Sequence, residues 1–356
     1  VFSVNGSKVD NKGNIEAGGT DSVGILALGY GESGGVAQKN QFGGKTGEGN
    51  ITVINSGSVK MANNDAIGIY VKNNNTTTVS TNHKVTNSGT IEVKESASKT
   101  AIGIYADKST VIPKDGTIKI GKKAVGIYAD NSTIGSGTDN LGKIDFAGES
   151  GVGIYLKGSS STLTGSDVTL KQSTSGTFKG KVGILVARET ASTITTEVKT
   201  KDGSDTIDDV IAYYSKNNGT LTVQSSFELN KRSVGIYGAV NGSTPENLVY
   251  NGSKTMKLGE KSTGIFGKGN ISFASGSNIE LNGDKSVGVF ATESTGIINS
   301  EGNLKFSKEK SIGLYGLNGA TINDKTASMD FSNANAKNNI GVYLAGAKWN
   351  DNRTAA

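Results

Sequence analysis

One four-residue motif, aliphatic–Gly–aliphatic–aromatic (or leucine), recurs along the chain and limits the possible fold more than any other feature. Its twelve copies begin with Val23-Gly24-Ile25-Leu26 and end with Ile340-Gly341-Val342-Tyr343. Most motif glycines lie 23 to 30 residues apart, and the first two intervals are longer, at 44 and 35 residues. Such a period is typical of a solenoid, in which each repeat forms one coil and shares its core with its neighbours.

Short segments between the motifs alternate apolar and polar residues, as in Thr117-Ile118-Lys119-Ile120. This period of two indicates β-strands, and the Gly, Asn, Asp and Ser residues between the segments are typical of turns. We therefore predict an all-β fold, a right-handed parallel β-helix with about twelve coils of roughly three short strands. We expect a single β-helix over residues 1–356, with loop insertions at about 29–50, 72–86 and 199–210.

The alternation also predicts which side chains share a face of the motif strand. Val125, Ile127 and Ala129 share one face, and Gly126 and Tyr128 share the other. Since β-branched residues pack well on pleated surfaces, we place the first set inside, which leaves glycine and aromatic columns outside. The opposite assignment remains open at this point.

Composition excludes several classes of protein. The chain has no cysteine, so it contains no disulfides, as is compatible with some exported bacterial proteins. Its net charge is +5, but the charges are scattered, and we expect no nucleic-acid partner. There is no apolar run long enough for a membrane-spanning helix. Because Val1 begins no signal peptide, we expect the sequence to be a segment of a longer protein.

Catalytic and metal-binding patterns are missing from the sequence. The single histidine, His83, cannot form a zinc site without further His or Cys ligands, and we interpret it as an exposed loop residue. The segment Gly43-Gly44-Lys45-Thr46 lacks the spacing of a phosphate-binding loop. No pair of carboxylates is recognisable as a glycosidase site. We predict a protein that is not an enzyme, with no catalytic residue, metal or cofactor.

The repeat fails at Ile211-Ala212-Tyr213-Tyr214, directly after the acidic segment 202–209. Sites often occur where local regularity breaks, and loops on a rigid scaffold commonly carry recognition. The candidate binding residues are Tyr30, Phe42, Asp202, Asp205, Asp208, Asp209, Tyr213 and Tyr214. The acidic segment is interpreted either as a site for a cation or cationic group, or as a solvated loop. An outward aromatic column would stack sugar rings, anchor a protein, or simply shield the strand beneath it.

The Val-Gly-Ile-Tyr series, preceded by pairs such as Lys285-Ser286 and Lys310-Ser311, resembles the passenger domains of large type V autotransporters, particularly fusobacterial adhesins (RadD-like passengers). The resemblance covers residues 11–345 and transfers no binding residue. It implies a monomeric segment at the bacterial cell surface or secreted, anchored in the outer membrane only through a translocator barrel absent here. It further implies virulence-related adhesion to a protein or glycan receptor on bacteria or host cells. The alternatives are a purely structural stalk and a polysaccharide-active β-helix enzyme.

Overall fold

The computed structural model describes residues 1–4, 7–29, 32–33, 36–37, 50–74, 82–98, 100–188, 190–216, 219–241 and 244–353. Among these residues there is no helix, and hence none that could cross a membrane. The chain forms about twelve coils of a parallel β-solenoid, which confirms the predicted all-β parallel β-helix. It divides into two compact units, Val1–Lys181 and Val182–Ala356.

Each coil of the first unit contributes one strand to each of three parallel sheets. The motif sheet contains Phe2–Val4, Val23–Gly29, Ile67–Asn73, Ile102–Asp107, Val125–Asp130 and Val152–Lys157. The second sheet contains Lys8–Asn11, Thr52–Asn55, Lys84–Asn87, Thr110–Ile112, Thr133–Ile134 and Thr162–Leu163. The third contains Asn14–Ala17, Ser58–Met61, Thr90–Val93, Thr117–Ile120, Lys143–Phe146 and Asp167–Lys171. Within the predicted insertion 29–50, Glu32–Ser33 and Val36–Ala37 form an antiparallel pair.

The second unit repeats this plan. Its motif strands are Lys181–Ala187, Val210–Lys216, Val234–Gly238, Thr263–Gly267, Val287–Thr292, Ile312–Leu317 and Ile340–Ala345. Lys181, the first residue of the first of these strands, is the last residue of the first unit. The second sheet contains Ser192–Ile194, Thr220–Val223, Asn247–Tyr250, Asn270–Phe273, Ile297–Ser300, Thr321–Asp324 and Lys348–Asp351. The third contains Phe227–Glu228, Thr255–Leu258, Asn278–Leu281, Asn303–Phe306 and Ser328–Asp330, and Glu197–Lys199 is a further strand. Two antiparallel hairpins leave the coils, Lys201–Asp202 with Asp205–Thr206 and Val240–Asn241 with Thr244–Pro245.

Equivalent residues of successive coils lie in register. Ile127 pairs with Ile104 and Ile154, and Tyr128 pairs with Tyr105 on the neighbouring coil. Ile127 is fully buried, whereas the Tyr128 side chain is half-buried on the outer face. The prediction of an outward aromatic column is therefore confirmed.

The assignment of the motif glycine to the outer face is wrong. A Cβ at Gly126 would lie 2.5 Å from the carbonyl oxygen of Gly153 and 3.1 Å from Cδ1 of the core residue Ile144. Glycine therefore points inward, beside the buried Ile127, and the strict alternation breaks between the two residues. The first aliphatic position of the motif lies at the margin of the core, as the half-buried Val152 shows.

In the second unit, a turn residue with left-handed backbone conformation lies two positions before each of the six motifs from Ile211 to Ile340. These residues have φ between 55° and 59° and are Asp209, Arg232, Lys261, Lys285, Lys310 and Asn338. The next residue is usually serine, and its hydroxyl accepts a hydrogen bond from the preceding coil, as in Ser286 N to Ser311 Oγ at 3.2 Å. The Lys-Ser pairs of the sequence are thus the closing turns of the coils.

Candidate binding surface

The broken motif at Ile211–Tyr214 occupies the motif sheet of the second unit without a shift of register. Tyr213 pairs with Ile236, and Tyr214 pairs with Tyr237 on the next coil. Since Tyr213 takes the place of the motif isoleucine, its side chain points into the core and is fully buried. Ala212 takes the place of the motif glycine and is also buried.

The buried hydroxyl of Tyr213 is fully engaged. It donates to the Thr196 carbonyl oxygen at 2.8 Å, accepts from Val198 N at 3.0 Å, and lies 2.7 Å from Ser225 Oγ. Burial raises the pKa of this phenol well above its usual value, so it stays protonated. Tyr213 therefore holds the core of its coil together and presents no surface to a ligand.

An acidic hairpin leaves the coil immediately before this motif. Asp202 and Asp205 face each other across it, and Gly203 turns its tip with a φ of 63°. The base of the hairpin is fastened to the neighbouring coil, because Thr200 Oγ1 donates to the Glu228 carbonyl at 2.7 Å. Within the second unit the hairpin thus projects from an anchored base.

Asp208 and Asp209, which follow the hairpin, lie beside an arginine of the next coil. The Arg232 guanidinium donates to both carboxylate oxygens of Asp209, at 2.9 and 2.8 Å, and reaches Asp208 Oδ2 at 3.4 Å. These bonds to Asp209 raise the pKa of Arg232. Such bidentate pairing occupies the oxygens that a cation would need. The part of the chain that the structure describes contains no group of three or more His, Cys, Asp or Glu that could hold a metal.

A shallow groove of about 340 Å³ lies beside the hairpin base. It crosses four successive coils and is lined by Glu228, Leu229, Asn230, Lys231, Lys257, Leu258, Gly259, Glu260, Asn282, Gly283, Asp284 and Lys308. Its acidic and basic side chains are equal in number, and some pair directly, as Lys231 does with Glu260 at 3.5 Å. Asn230 connects groove and hairpin, since its amide donates to the Thr200 carbonyl at 2.8 Å. The groove therefore offers many hydrogen-bonding groups with no excess of either charge.

Tyr214 belongs to the outward aromatic column of the second unit. Its ring meets that of Tyr237 edge to face, with 5.0 Å between centroids. Burial raises its pKa, as it does for Tyr70, Tyr128 and Tyr155 in the first unit. Tyr214 is thus half-buried on the outer face of the strand whose inner face carries the buried Tyr213.

Tyr30 and Phe42 fall outside the described residues. His83, interpreted from the sequence as an exposed loop residue, is instead 9% exposed, and its ring packs against Gly29, where a Cβ would meet Nε2 at 1.8 Å. Among the described residues, neither ring nitrogen has a hydrogen-bond partner, and burial lowers the pKa of the imidazole. The predicted insertion 72–86 ends within strands, Ile67–Asn73 on one side and Lys84–Asn87 on the other.

Sequence reasoning missed Arg232 and the groove. A signal for the former is present, because Arg232 follows Asp209 by 23 residues, the length of the coil between them. Residues separated by one coil length stack directly, so coil spacing identifies such partners. The residues that line the groove also recur at the coil spacing, but no residue type common to them marks a groove in the sequence.

No family model matches the chain, and no curated protein matches it significantly.

Proposed function

We propose that this chain is an attachment segment of a bacterial cell-surface protein, which binds a protein or glycan receptor through the hairpin and groove of the second unit. The observation that carries the proposal is local. In the second unit, an anchored acidic hairpin leaves the coil just before the broken motif and stands beside a groove rich in hydrogen-bonding groups. Recognition residues concentrate on such projections from rigid scaffolds.

The resemblance to autotransporter passengers supports the cell-surface setting and an outer-membrane anchor elsewhere in the full protein. The balanced charge of the groove favours a polar partner over a strongly anionic or cationic one. We do not extend the proposal to catalysis, since Asp208 and Asp209 are both held by Arg232 rather than set apart across an open site.

Competition tests the proposal. The purified chain should inhibit attachment of cells that display the full protein, in proportion to its concentration. Asp202→Ala/Asp205→Ala should raise the half-inhibiting concentration by about tenfold, the effect expected when one strong contact is lost. The matched control, Glu95→Ala/Glu149→Ala in the first unit, should inhibit like the unaltered chain.

A stalk that only spaces a binding tip is the second candidate. It is favoured by the side-chain columns that run from coil to coil, such as the stacked Tyr70 and Tyr105 with centroids 4.8 Å apart. Failure of the folded, unaltered chain to inhibit attachment would support the stalk and exclude the attachment role.

A further inference from the structure

Two outward columns of the motif sheet in the second unit carry no charge. We call them the outer stripe, and it comprises Ile211, Val234, Thr263, Val287, Ile312 and Ile340 together with Tyr214, Tyr237, Phe266, Phe290, Tyr315 and Tyr343. All are half-buried except Ile340 and Tyr343, which are exposed. Charged residues flank the stripe, Lys216 on one side and Lys231 on the other. A contiguous uncharged patch with a polar rim is typical of an interaction surface.

The aromatic column of the stripe repeats with the coil. Successive ring centroids are 5.0, 5.4, 4.9, 4.5 and 5.1 Å apart. The rings do not form one continuous face-to-face stack, because Phe266 and Phe290 meet at 60° whereas Phe290 and Tyr315 lie at 8°. The orientation of the ring planes therefore changes along the column, and some ring faces are not covered by a neighbouring ring.

The dimensions of the stripe indicate the shape of its partner. Six coils and three residue steps give a strip of about 24 by 10 Å. Its area of roughly 240 Å² is well below the ~800 Å² per partner that a stable protein interface usually needs. A second copy of the chain or another globular protein would find too little surface here, whereas a narrow, elongated ligand matches it.

We propose that the outer stripe binds a linear, uncharged polysaccharide that lies along the aromatic column with about one sugar ring per coil. This inference rests on the proposed function, since it names the ligand class of an attachment segment. The apolar faces of pyranose rings pack on aromatic side chains, and the length of a sugar unit in an extended chain is close to the coil spacing. The hydroxyls of Tyr214, Tyr237 and Tyr315 offer donors and acceptors to sugar hydroxyls.

The first unit provides an internal contrast. Its column of Tyr70, Tyr105, Tyr128 and Tyr155 is flanked by charged side chains two residues further along each strand. Lys72 pairs with Asp107 at 3.4 Å, and Lys157 pairs with Asp130 at 3.2 Å. At the same position the second unit has charge only at Lys216 and Lys268, the latter paired with Glu293. A neutral sugar chain would therefore dehydrate more charges on the first unit, which should bind it more weakly.

Calorimetric titration of the whole chain with cellohexaose and chitohexaose tests the proposal, with cellotriose as the short probe. At least one hexaose should bind, and more tightly than the triose, because more coils are engaged. Phe266→Ser/Phe290→Ser should weaken this binding by about tenfold, the loss expected for two ring contacts. The matched control, Tyr105→Ser/Tyr128→Ser in the first unit, should leave the affinity unchanged.

Circular dichroism and the thermal midpoint establish that each variant is folded. If the serine variant unfolds, Thr263→Lys/Val287→Lys keeps every ring, adds charge to the neighbouring column, and should also weaken binding. The proposal is overturned if neither hexaose binds, if the triose binds as tightly, or if the first-unit control loses as much affinity.

Different experimental results would refute the proposed function and this inference. If neither hexaose binds a chain that still inhibits cell attachment, the stripe proposal is overturned and the hairpin proposal stands. Binding of a hexaose by a chain that inhibits no attachment supports the stripe and removes the attachment role.

Discussion

The two units have different residue types in one column of core side chains. At the last position of the second-sheet strands, the first unit has Asn11, Asn55 and Asn87, whose side-chain amides donate to one another at 2.7 Å. At the same position the second unit has Tyr250 and Phe273, with ring centroids 6.4 Å apart and planes at 20°. Asn55, Asn87, Tyr250 and Phe273 are all fully buried.

The difference teaches that the coil backbone does not dictate the chemistry of a column. Parallel in-register strands place each side chain next to its equivalent on the neighbouring coil, and the two can match, as Asn55 and Asn87 do, or differ, as Phe273 and Ser300 do. An amide column satisfies its donors and acceptors along the column, whereas an aromatic column contributes apolar burial. The two columns should therefore respond differently to the same truncation.

The largest effect is expected in the aromatic column. Phe273→Ala removes a fully buried ring and leaves a cavity, which should lower the free energy of unfolding by about 3–5 kcal/mol. Urea unfolding followed by circular dichroism measures the loss. Phe331→Ala is the control, because Phe331 is 43% exposed and its truncation should cost much less. Equal losses for both variants would contradict this account of the column.

A smaller loss is expected in the amide column. Asn55→Ala removes the acceptor of Asn11 and the donor to Asn87, which leaves two buried polar groups without these partners. We expect the free energy of unfolding to fall by about 2–3 kcal/mol. Asn64→Ala, at a side chain whose hydrogen bond to Glu95 is exposed, is the matched control and should have little effect. A neutral Asn55→Ala would show that the amide ladder contributes nothing.

The first unit should also be sensitive to acid through His83. Burial lowers the pKa of this imidazole below its ordinary value of 6.5, so the folded chain favours the neutral form. Stability is therefore complete above pH 6.5 and decreases as the pH falls through 6.5 toward the folded-state pKa. Hydrogen exchange of peptides around 83–87, expressed as protection factors that remove the intrinsic pH dependence of amide exchange, measures this loss between about pH 7.5 and about pH 5.5.

The control for His83 comes from the neighbouring coils, in which Ser109 and Ser132 precede the equivalent strands. His83→Ser should remove the difference in protection factor between the two pH values. A peptide from the second unit, 278–306, should show no such difference in either chain. Persistence of the pH dependence in His83→Ser would assign it to another group.

The smallest effect is expected at the closing turns of the second unit, and it is a gain. Lys285 has a φ of 59°, where a Cβ is unfavourable. Lys285→Gly should raise the free energy of unfolding by about 0.5–1 kcal/mol, because relief of the steric cost exceeds the extra entropy of unfolded glycine. Lys305→Gly, within the strand Asn303–Phe306, should instead be destabilising. A loss at Lys285 would show that its side chain makes contacts worth more than the strain.

Much of the fold was predictable because the repeat reports it directly. Motif spacing indicated the coil, alternation indicated the strands, and the contrast between Ile127 and Tyr128 indicated the core face. The inward glycine was not predictable by alternation, because the strand bends between Gly126 and Ile127 and two consecutive residues face inward. His83 was misread for a similar reason, since an isolated polar residue in the sequence says nothing about the space above Gly29.

The sequence located the acidic segment and the broken motif but did not indicate how their side chains are arranged. The acidic segment and the broken motif are visible in the sequence, whereas the guanidinium that holds Asp208 and Asp209 comes from the next coil. Tyr213 and Tyr214 are adjacent in sequence, yet one lies in the core and the other on the surface.

The sequence by itself determined the all-β coil, its number and its register, because these depend on a local pattern that repeats. Only the tertiary structure decided which polar groups form hydrogen bonds, such as Arg232 with Asp209, and which side chains of each column are buried. Those contacts join residues one coil apart, and their geometry depends on how neighbouring turns stack rather than on any local preference of the chain.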